Sequence, residues 1–285
     1  MHPTIHLWAR IRLPPEDQKH WFQVAEGIYE KVFSTRKKEL GPEHRDTLKT
    51  MSELGKVYWD WSDIKNVVQI RLEICEIRTM TPGENDPLTL SAISDLTATY
   101  WLAGNRVKSL KYGEKAATGL SKTLGPDDPI TLTAIFYLAR TQFHLGYVEK
   151  ARLGLEQVLT VRKTFFGTKH PDTVMAMADL GAVYYSLRIA AAEKLLREVL
   201  KIRREILGEE HACTLWTVNN LCKIYTDSGR AKQALEMLDA MIPVAIRTLD
   251  HRHVGINMTK FNIARAYNLF SRYLYYYGIY TYLIY

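Results

Sequence analysis

The sequence has few cysteines, and it lacks the motifs of the common catalytic and metal sites. Cys75, Cys213 and Cys222 are the three cysteines in 285 residues. They show no CxxC spacing and are too few for a disulfide scaffold, which favours a reducing compartment. No GxGxxG, P-loop, HExxH, GxSxG or zinc-finger spacing occurs. These absences predict a protein that is not an enzyme and needs no cofactor or metal.

Long apolar runs and concentrated charge are also missing. Arg10 and Arg12 interrupt the N-terminal apolar stretch, which excludes a signal peptide, and no stretch is long and apolar enough to span a bilayer. The formal net charge is +7. The basic residues are scattered, however, and the tight clusters 36–38 and 203–204 lie at predicted helix ends, where cations are favoured. We therefore expect a cytoplasmic protein with no membrane or nucleic-acid partner.

What the chain has instead is a short segment that recurs along its length. Leu40 to Leu48 reads LGPEHRDTL, and close copies begin at Leu124, Phe166 and Leu207. One threonine in each copy marks the period, which is 42 residues for three steps and 41 for the last: Thr47, Thr89, Thr131, Thr173 and Thr214. A repeat of this length is typical of a solenoid built from stacked helical units.

Each copy of the segment, which we call the joint, carries the residues that end one helix and begin another. Gly41 and its counterparts suit the left-handed conformation that follows a helix. His44, or an Asp such as Asp86 or Asp128, comes next and is suited to cap the following helix. Proline then stands at the first helical position in three copies, Pro87, Pro129 and Pro171.

The joint histidines could also be considered as metal ligands. His44, His170, His211 and His253 share one joint position, about one repeat apart. A metal site needs ligands that converge on a point, so this spacing favours a structural role. His251 and His253 alone could share a ligand, although a solvated loop is the simpler interpretation.

The copies of the joint predict the organisation of the chain. Residues 1–18 match no repeat and form a leader, and the repeat array covers 19–273. The array begins with an orphan second helix at 20–40, continues with five helix pairs in 41–248 and ends with a lone first helix at 255–270. The aromatic tail 274–285 is interpreted as sequence that follows a truncated array, with a hydrophobic anchor or β-forming binding segment as the alternative.

Within the five pairs, the helices are predicted from the same register. The first helices are 46–60, 87–102, 129–144, 171–186 and 212–227. Their partners are 63–79, 106–122, 148–165, 190–206 and 231–248. A glycine lies in the turn of three pairs, at Gly104, Gly146 and Gly229. Its deletion from the fourth pair would explain the 41-residue step.

A Leu, a small residue and then Tyr three residues later recur in most first helices, as at Leu54, Gly55 and Tyr58. With the second-helix small residues and the joints, this pattern resembles the tetratricopeptide repeat, and the 42-residue period resembles its kinesin-light-chain branch. The resemblance implies an all-α fold, a right-handed α-solenoid of antiparallel helix pairs. Similar arrays occur in fungal proteins and in nucleotide-binding, NB-ARC-like receptors.

The resemblance also implies that the first helices line a concave groove. Fifteen residues in groove register are the candidate binding residues: Lys49, Ser52, Lys56, Trp59, Ser94, Trp101, Phe136, Arg140, Phe143, Tyr185, Trp216, Asn219, Lys223, Phe261 and Arg265. Two positions after the repeat leucine, the residue is cationic in four repeats, and aromatics share that face. The set predicts a peptide or helix partner that is acidic and has apolar anchors. The alternative is that individual aromatics pack against the neighbouring repeat.

Kinesin light chains carry groove asparagines two positions before that leucine, and here only Asn219 matches. Cargo recognition of the kinesin type is therefore not expected. The leading hypothesis is a non-enzymatic protein–protein interaction scaffold. The alternative is a sensor or autoinhibitory part of a larger nucleotide-binding receptor. Apolar helix faces at the ends of the array also predict end-to-end self-association.

Overall fold

A computed structural model describes residues 15–61 and 63–248. These residues form eleven α-helices. Their bounds are α1 Pro15–Leu40, α2 Arg45–Asp60, α3 Ile64–Met80, α4 Pro87–Leu102, α5 Arg106–Thr123, α6 Pro129–His144, α7 Val148–Phe166, α8 Pro171–Ser186, α9 Ala191–Leu207, α10 Ala212–Asp227 and α11 Ala231–Thr248. No strand occurs in the described ranges. The predicted lone helix 255–270 and tail 274–285 lie outside them.

The joints begin the first helices as predicted. At α2, the Nδ1 atom of His44 accepts a hydrogen bond from the Asp46 N–H at 3.2 Å. At α4, the Asp86 carboxylate accepts from the N–H groups of Leu88 and Thr89 at 2.9 and 3.3 Å. The unpaired N–H groups of the first turn thus gain acceptors, which is how a cap stabilises a helix. Both histidine and aspartate serve as the N-cap in these joints.

The helix bounds agree with the predicted ones to within one residue, with one exception. Helix α1 begins at Pro15, five residues before the predicted start at His20. The reason is that Pro15 itself suits a first helical turn, because its fixed φ is helical and its missing N–H would have no partner there.

Two compact units divide the described helices between Tyr147 and Val148. In the first unit, α2 pairs with α3 and α4 with α5, and leucines, isoleucines and alanines of these helices form its core. In the second unit, α8 pairs with α9 and α10 with α11 around a core that includes Leu196, Leu221 and Leu238.

The small residues predicted to allow close helix packing are buried. Ser109, Ala151, Ala192 and Ala234 are at most 4% exposed. The tyrosine of the repeat pattern is anchored at its hydroxyl: Tyr58 donates to Glu30 and Tyr184 to Glu156, in each case 28 residues earlier. In these two repeats the tyrosine therefore links the first helix to the preceding second helix.

The predicted glycine deletion in the fourth pair is wrong. Arg188 occupies the turn position of Gly146 and Gly229, with a left-handed φ of 58°. Its N–H donates to Tyr185 O at 3.0 Å, just as the Gly229 N–H donates to Thr226 O at 3.2 Å. The glycine is thus replaced rather than deleted, and the missing residue falls between Arg188 and Ala192. The left-handed conformation is unfavourable for a residue with a Cβ atom, which is why the sequence suggested a deletion.

A series of arginines in the second helices was not predicted. Arg36, Arg162 and Arg203 each donate from a guanidinium nitrogen to the backbone oxygen ten residues later, at 3.1, 3.1 and 2.8 Å. Arg203 also donates to the Thr217 hydroxyl at 2.7 Å. These bonds join the end of one repeat to the first turn of the next, and they explain how Arg162 and Arg203 are buried at 3% and 7% exposure. Among the described helices, none is both long and apolar enough to cross a membrane.

Candidate functional site

The candidate groove residues lie on α2, α4 and α6 in the first unit and on α8 and α10 in the second. Phe261 and Arg265 lie outside the described residues. The structure places the other candidates at three depths, and their depth follows their position in the repeat. The lysines are exposed, and Arg140 and most of the aromatic side chains are half-buried. The position two residues before the repeat leucine is buried except at Ser52.

The buried candidates are Ser94, Phe136 and Asn219, at 4%, 1% and 2% exposure, while Ser52 is half-buried. Phe136 is covered by the side chain one helical turn later, because the Arg140 guanidinium lies 5.4 Å from its ring centroid. The position that kinesin light chains use for groove asparagines is thus largely interior in these repeats. The sequence did not predict this burial, because the position holds Ser, Phe, Ala or Asn in different repeats.

The cations at the second position after the leucine lie at the surface. Lys56 is exposed, and its Nζ atom lies 2.8 Å from a carboxylate oxygen of Glu53. Lys49 on the same helix is also exposed. Arg140 is half-buried, and its guanidinium lies 4.1 Å from the centroid of the Trp101 ring. Lys223 is exposed, with its Nζ atom 4.9 Å from the Tyr185 ring.

The two stacked pairs follow the same rule. Arg140 of α6 covers Trp101 of α4, and Lys223 of α10 covers Tyr185 of α8. In each unit, then, a cation from one repeat lies on the aromatic ring of the repeat before it. Such cation–π contacts contribute about 0.5–1 kcal/mol at exposed sites and more when shielded from water. They hold a positive group and an apolar surface side by side.

The remaining aromatics are also half-buried and lie beside charged groups. Trp59 has the Arg71 guanidinium 4.9 Å from its ring, and Trp216 has that of Arg203 at 5.8 Å. Phe143 meets the His144 ring edge-on at 5.6 Å. The Tyr185 hydroxyl donates to the Asp227 carboxylate. These aromatic side chains are therefore partly exposed to solvent and partly packed against their own repeat.

Arginines of the second helices are part of this surface, and the sequence analysis missed them. Arg106 also lies 4.9 Å from the Trp101 ring centroid, and it donates to the Trp101 backbone oxygen. Burial, with a smaller effect of Arg140, lowers the pKa of Arg106. Arg71 and Arg106 do not recur with the repeat, so the sequence offered no signal for them. The series at 36, 78, 162 and 203 does follow the period and could have been found.

The described residues hold no group of three or more His, Cys, Asp or Glu side chains that could bind a metal ion. Burial raises the pKa of the Cys75 and Cys222 thiols to about 12. A protonated, buried thiol is a poor nucleophile, so these two cysteines are structural.

Two family models match the sequence, and both describe the tetratricopeptide repeat. They cover residues 89–130 and 144–205. In the comparison with curated proteins, no protein matches.

Three solved structures share the fold. A kinesin-light-chain-type protein of nearly identical TPR-like repeats from Podosopora anserina is 24% identical, with a TM-score of 0.58 over 74% of this chain and 99% of that chain. A Rap protein complexed with competence and sporulation factor is 13% identical, with a TM-score of 0.59 over 90% of this chain and 76% of that chain. A STAND protein with a tetratricopeptide-repeat sensor from Pyrococcus horikoshii is 14% identical, with a TM-score of 0.58 over 90% of this chain and 41% of that chain.

The matched residues include the joint that begins at Phe166 and most or all of α4, α5, α7, α8 and α9, and the Podosopora anserina structure shares the helical fold. Residues 89–130 and 144–205 are thus matched as tetratricopeptide repeats, and the helical fold is one that this chain shares with the kinesin-light-chain-type repeat array.

Proposed function

We propose that this protein is a non-enzymatic protein–protein interaction scaffold that binds an extended peptide or a helix along its first helices. The tetratricopeptide family supports an interaction role. The buried thiols, and the absence of a metal-binding cluster from the described residues, leave the surface as the part of the molecule available for function.

The observation that carries the proposal is the repeated stacking of a cation on an aromatic ring. Arg140 on Trp101 and Lys223 on Tyr185 place the same pair of groups at the same register in both units. Structural packing alone would be served equally well by apolar side chains. A cation held beside an accessible ring instead suits a ligand that presents a carboxylate next to a large apolar side chain.

The charge of this face supports an acidic partner. In the first unit Lys49 and Lys56 are exposed and Arg140 is half-buried, and in the second unit Lys223 is exposed. Glu53 partly offsets Lys56, and Asp227 accepts from Tyr185 near Lys223. The balance of the register remains positive, as does the whole chain. A Rap protein that shares the fold was solved in complex with competence and sporulation factor, which supports ligand binding by an array of this kind.

The test is selection from a displayed library of random peptides, followed by affinity measurement on the selected peptides. Wild-type protein should select peptides in which Asp or Glu lies near Trp, Phe or Leu. The double variant Arg140→Glu with Lys223→Glu should weaken those peptides by at least about tenfold, which corresponds to about 1.4 kcal/mol. Lys223 is exposed, whereas Arg140 is half-buried on the Phe136 ring, so circular dichroism and urea denaturation check that the double variant is folded before its affinity is compared.

A matched control makes the same change of charge elsewhere. Lys111→Glu with Lys194→Glu reverses two exposed lysines of second helices, outside the groove register. This control should bind the selected peptides like the wild type, apart from a modest long-range effect that salt screens. If the wild type selects no peptides, or if both double variants lose affinity equally, the proposal is wrong.

The second candidate function is that of a sensor or autoinhibitory array within a larger nucleotide-binding receptor of the NB-ARC-like kind. It is supported by the fold shared with the tetratricopeptide-repeat sensor of a STAND protein. The genomic sequence upstream of the Met1 codon decides between the two. An in-frame P-loop there would favour the receptor, whereas its absence would favour the scaffold.

A further inference from the structure

Helix α1 is longer than the other described second helices, and its extra part carries a half-exposed tryptophan. Helix α3 begins at Ile64, which corresponds to residue 22 of α1 one period earlier, whereas α1 begins at Pro15. The difference is about two helical turns. Trp21 lies in these turns and is 51% exposed, and its ring meets the His20 ring edge-on at a centroid distance of 6.0 Å. A large apolar side chain is thus presented to solvent beside the repeat.

Further along α1, a cleft of about 320 Å³ opens between this helix and α2. Ala25, Ile28 and Val32 belong to its α1 wall, and Lys49 and Glu53 to its α2 wall. The volume is at the lower end of the range for small-molecule pockets, so the cleft has room for one large side chain. It offers that side chain an apolar wall on α1 and a cation at the rim on α2.

The cleft is open at a place where later repeats are closed. Val32 is 37% exposed, whereas its counterparts Val158 and Val199 in the second unit are fully buried. In that unit α9 packs against α8, the first helix of its own pair. Within the described residues no first helix precedes α1, so the corresponding surface of α1 has no cover there.

Trp21 and the cleft lie on one face of α1. At 3.6 residues per turn, Trp21 is within about 20° of both Ile28 and Val32 around the helix, and Val32 lies about 16 Å further along it. A projecting side chain and a cavity on one face make that face complementary to itself. A two-fold axis that crosses α1 between Ala25 and Ile28 brings Trp21 of each copy opposite Val32 of the other.

The charges of α1 favour the antiparallel arrangement that such an axis creates. Glu16 and Asp17 stand at the start of the helix, and Lys37 and Lys38 stand in its last turn. Antiparallel copies place the acidic end of one helix beside the basic end of the other, whereas parallel copies would place like charges together. A second copy of this chain therefore matches the face in both shape and charge.

We infer that this protein forms a symmetric dimer in which Trp21 of each copy inserts into the cleft between α1 and α2 of the other. The indole contacts Ile28 and Val32 of the second copy, and Lys49 at the rim supplies a cation for its ring. This contact goes beyond the proposed function, because it uses neither Arg140 nor Lys223 and needs no peptide.

The first experiment removes the inserted side chain and measures the dimer by sedimentation equilibrium over a range of concentrations. We expect Trp21→Ala to raise the dissociation constant by at least about a hundredfold, because each dimer loses two buried indoles. Tyr147→Ala is the matched control, since Tyr147 occupies the same register position three periods later and is 49% exposed. It should dimerise like the wild type. Circular dichroism and urea denaturation check that both variants are folded.

The second experiment tests the antiparallel register and keeps Trp21 in place. Val24 and Lys31 lie about two turns apart on one flank of the α1 face, so antiparallel copies bring residue 24 of one near residue 31 of the other. Both variants carry Cys213→Ser, which removes the exposed native cysteine. A short bismaleimide should join Val24→Cys to Lys31→Cys in a mixture of the two proteins, and should not join Lys31→Cys to itself.

Two results would overturn the inference. One is a wild-type protein that stays monomeric at every concentration, which is also expected if another occupant, such as residues 1–14 of the same chain, covers the cleft. The other is a dimer that Trp21→Ala leaves intact, or that cross-links through Lys31→Cys alone as readily as in the mixture, because the contact then lies elsewhere or has another register. Neither result bears on the proposed function, whose test is peptide binding.

Discussion

At the scale of single residues, the repeat tolerates different side chains where neighbours leave space and not where they press close. The small position after the repeat leucine shows both cases. A Cβ atom added at Gly55 would meet the Ile70 side chain at 3.5 Å, an ordinary contact. The same atom at Gly181 would come within 2.7 Å of Leu196, which is itself fully buried. Two glycines in one register therefore have different reasons to be glycine.

Alanine substitution separates these two cases. Alanine is a better helix former than glycine by about 1 kcal/mol, so Gly55→Ala should raise the free energy of unfolding by up to that amount. Gly181→Ala gains the same propensity but must displace Leu196 in a packed core, and should lower it by about 1–2 kcal/mol. Urea denaturation followed by circular dichroism measures both variants. Equal effects of the two substitutions would show that the close approach at Gly181 is relieved without loss of packing.

At the scale of helices and joints, a neutral histidine and a charged aspartate perform the same capping task. The His211 Nδ1 atom accepts from the Cys213 N–H at 3.1 Å, whereas Asp128 accepts from the N–H of Ile130 at 2.8 Å. Burial, and then the charge of Arg203, lower the pKa of His211. A histidine cap is lost on protonation, since the nitrogen that accepts the bond then carries a hydrogen.

The second unit should therefore lose stability in mild acid. Because the folded pKa of His211 lies below its ordinary value of about 6.5, the unfolded chain takes up the proton first as the pH falls. The contribution of the neutral cap is complete above that value and decreases as the pH falls below it. His211→Asp should reduce the loss of unfolding free energy between pH 7 and pH 5, measured by urea denaturation at each pH.

His20→Gln is the control for this prediction, since it removes an exposed histidine from α1. It should leave the pH dependence as it is in the wild type. An unchanged pH dependence in His211→Asp would mean that the acid sensitivity arises elsewhere.

The helices and their bounds could be predicted from the sequence because their signals are local. Glycine, an N-cap and proline stand within a few residues of each joint, and each acts on its own helix end. The depth of the groove residues could not be predicted in the same way. Phe136 is 1% exposed with Arg140 on its ring, and Trp101 is half-buried under the same arginine of the next repeat, so these depths depend on residues a helical turn or a repeat away.

At the scale of the whole molecule, α1 presents an apolar face that the later second helices keep covered. Ile28 and Val32 are 47% and 37% exposed. The counterparts of Val32 in the next two repeats, Ile74 and Ala116, are only 5% and 0% exposed. A cleft of about 320 Å³ lies between this face and α2. A contiguous apolar face of this kind favours association with another apolar surface.

We expect the chain to self-associate in a concentration-dependent way through this face of α1. Ile28→Lys with Val32→Lys should shift the protein toward the monomer, because two charges would be buried in the contact. Val107→Lys is the matched control, since Val107 is 75% exposed on α5 away from the cleft. Sedimentation velocity over a range of concentrations measures the shift. A wild-type protein that stays monomeric at every concentration contradicts this prediction.

The joint has a consequence for how such a gene changes. The side-chain caps of the first helices are made within the joint, as between His44 and Asp46 or between Asp86 and Leu88. Unequal exchange between two copies of the segment would therefore add or remove one repeat and leave each remaining helix start intact. The length of the array, and with it the number of side chains offered to a ligand, is free to vary between lineages without redesign of the fold.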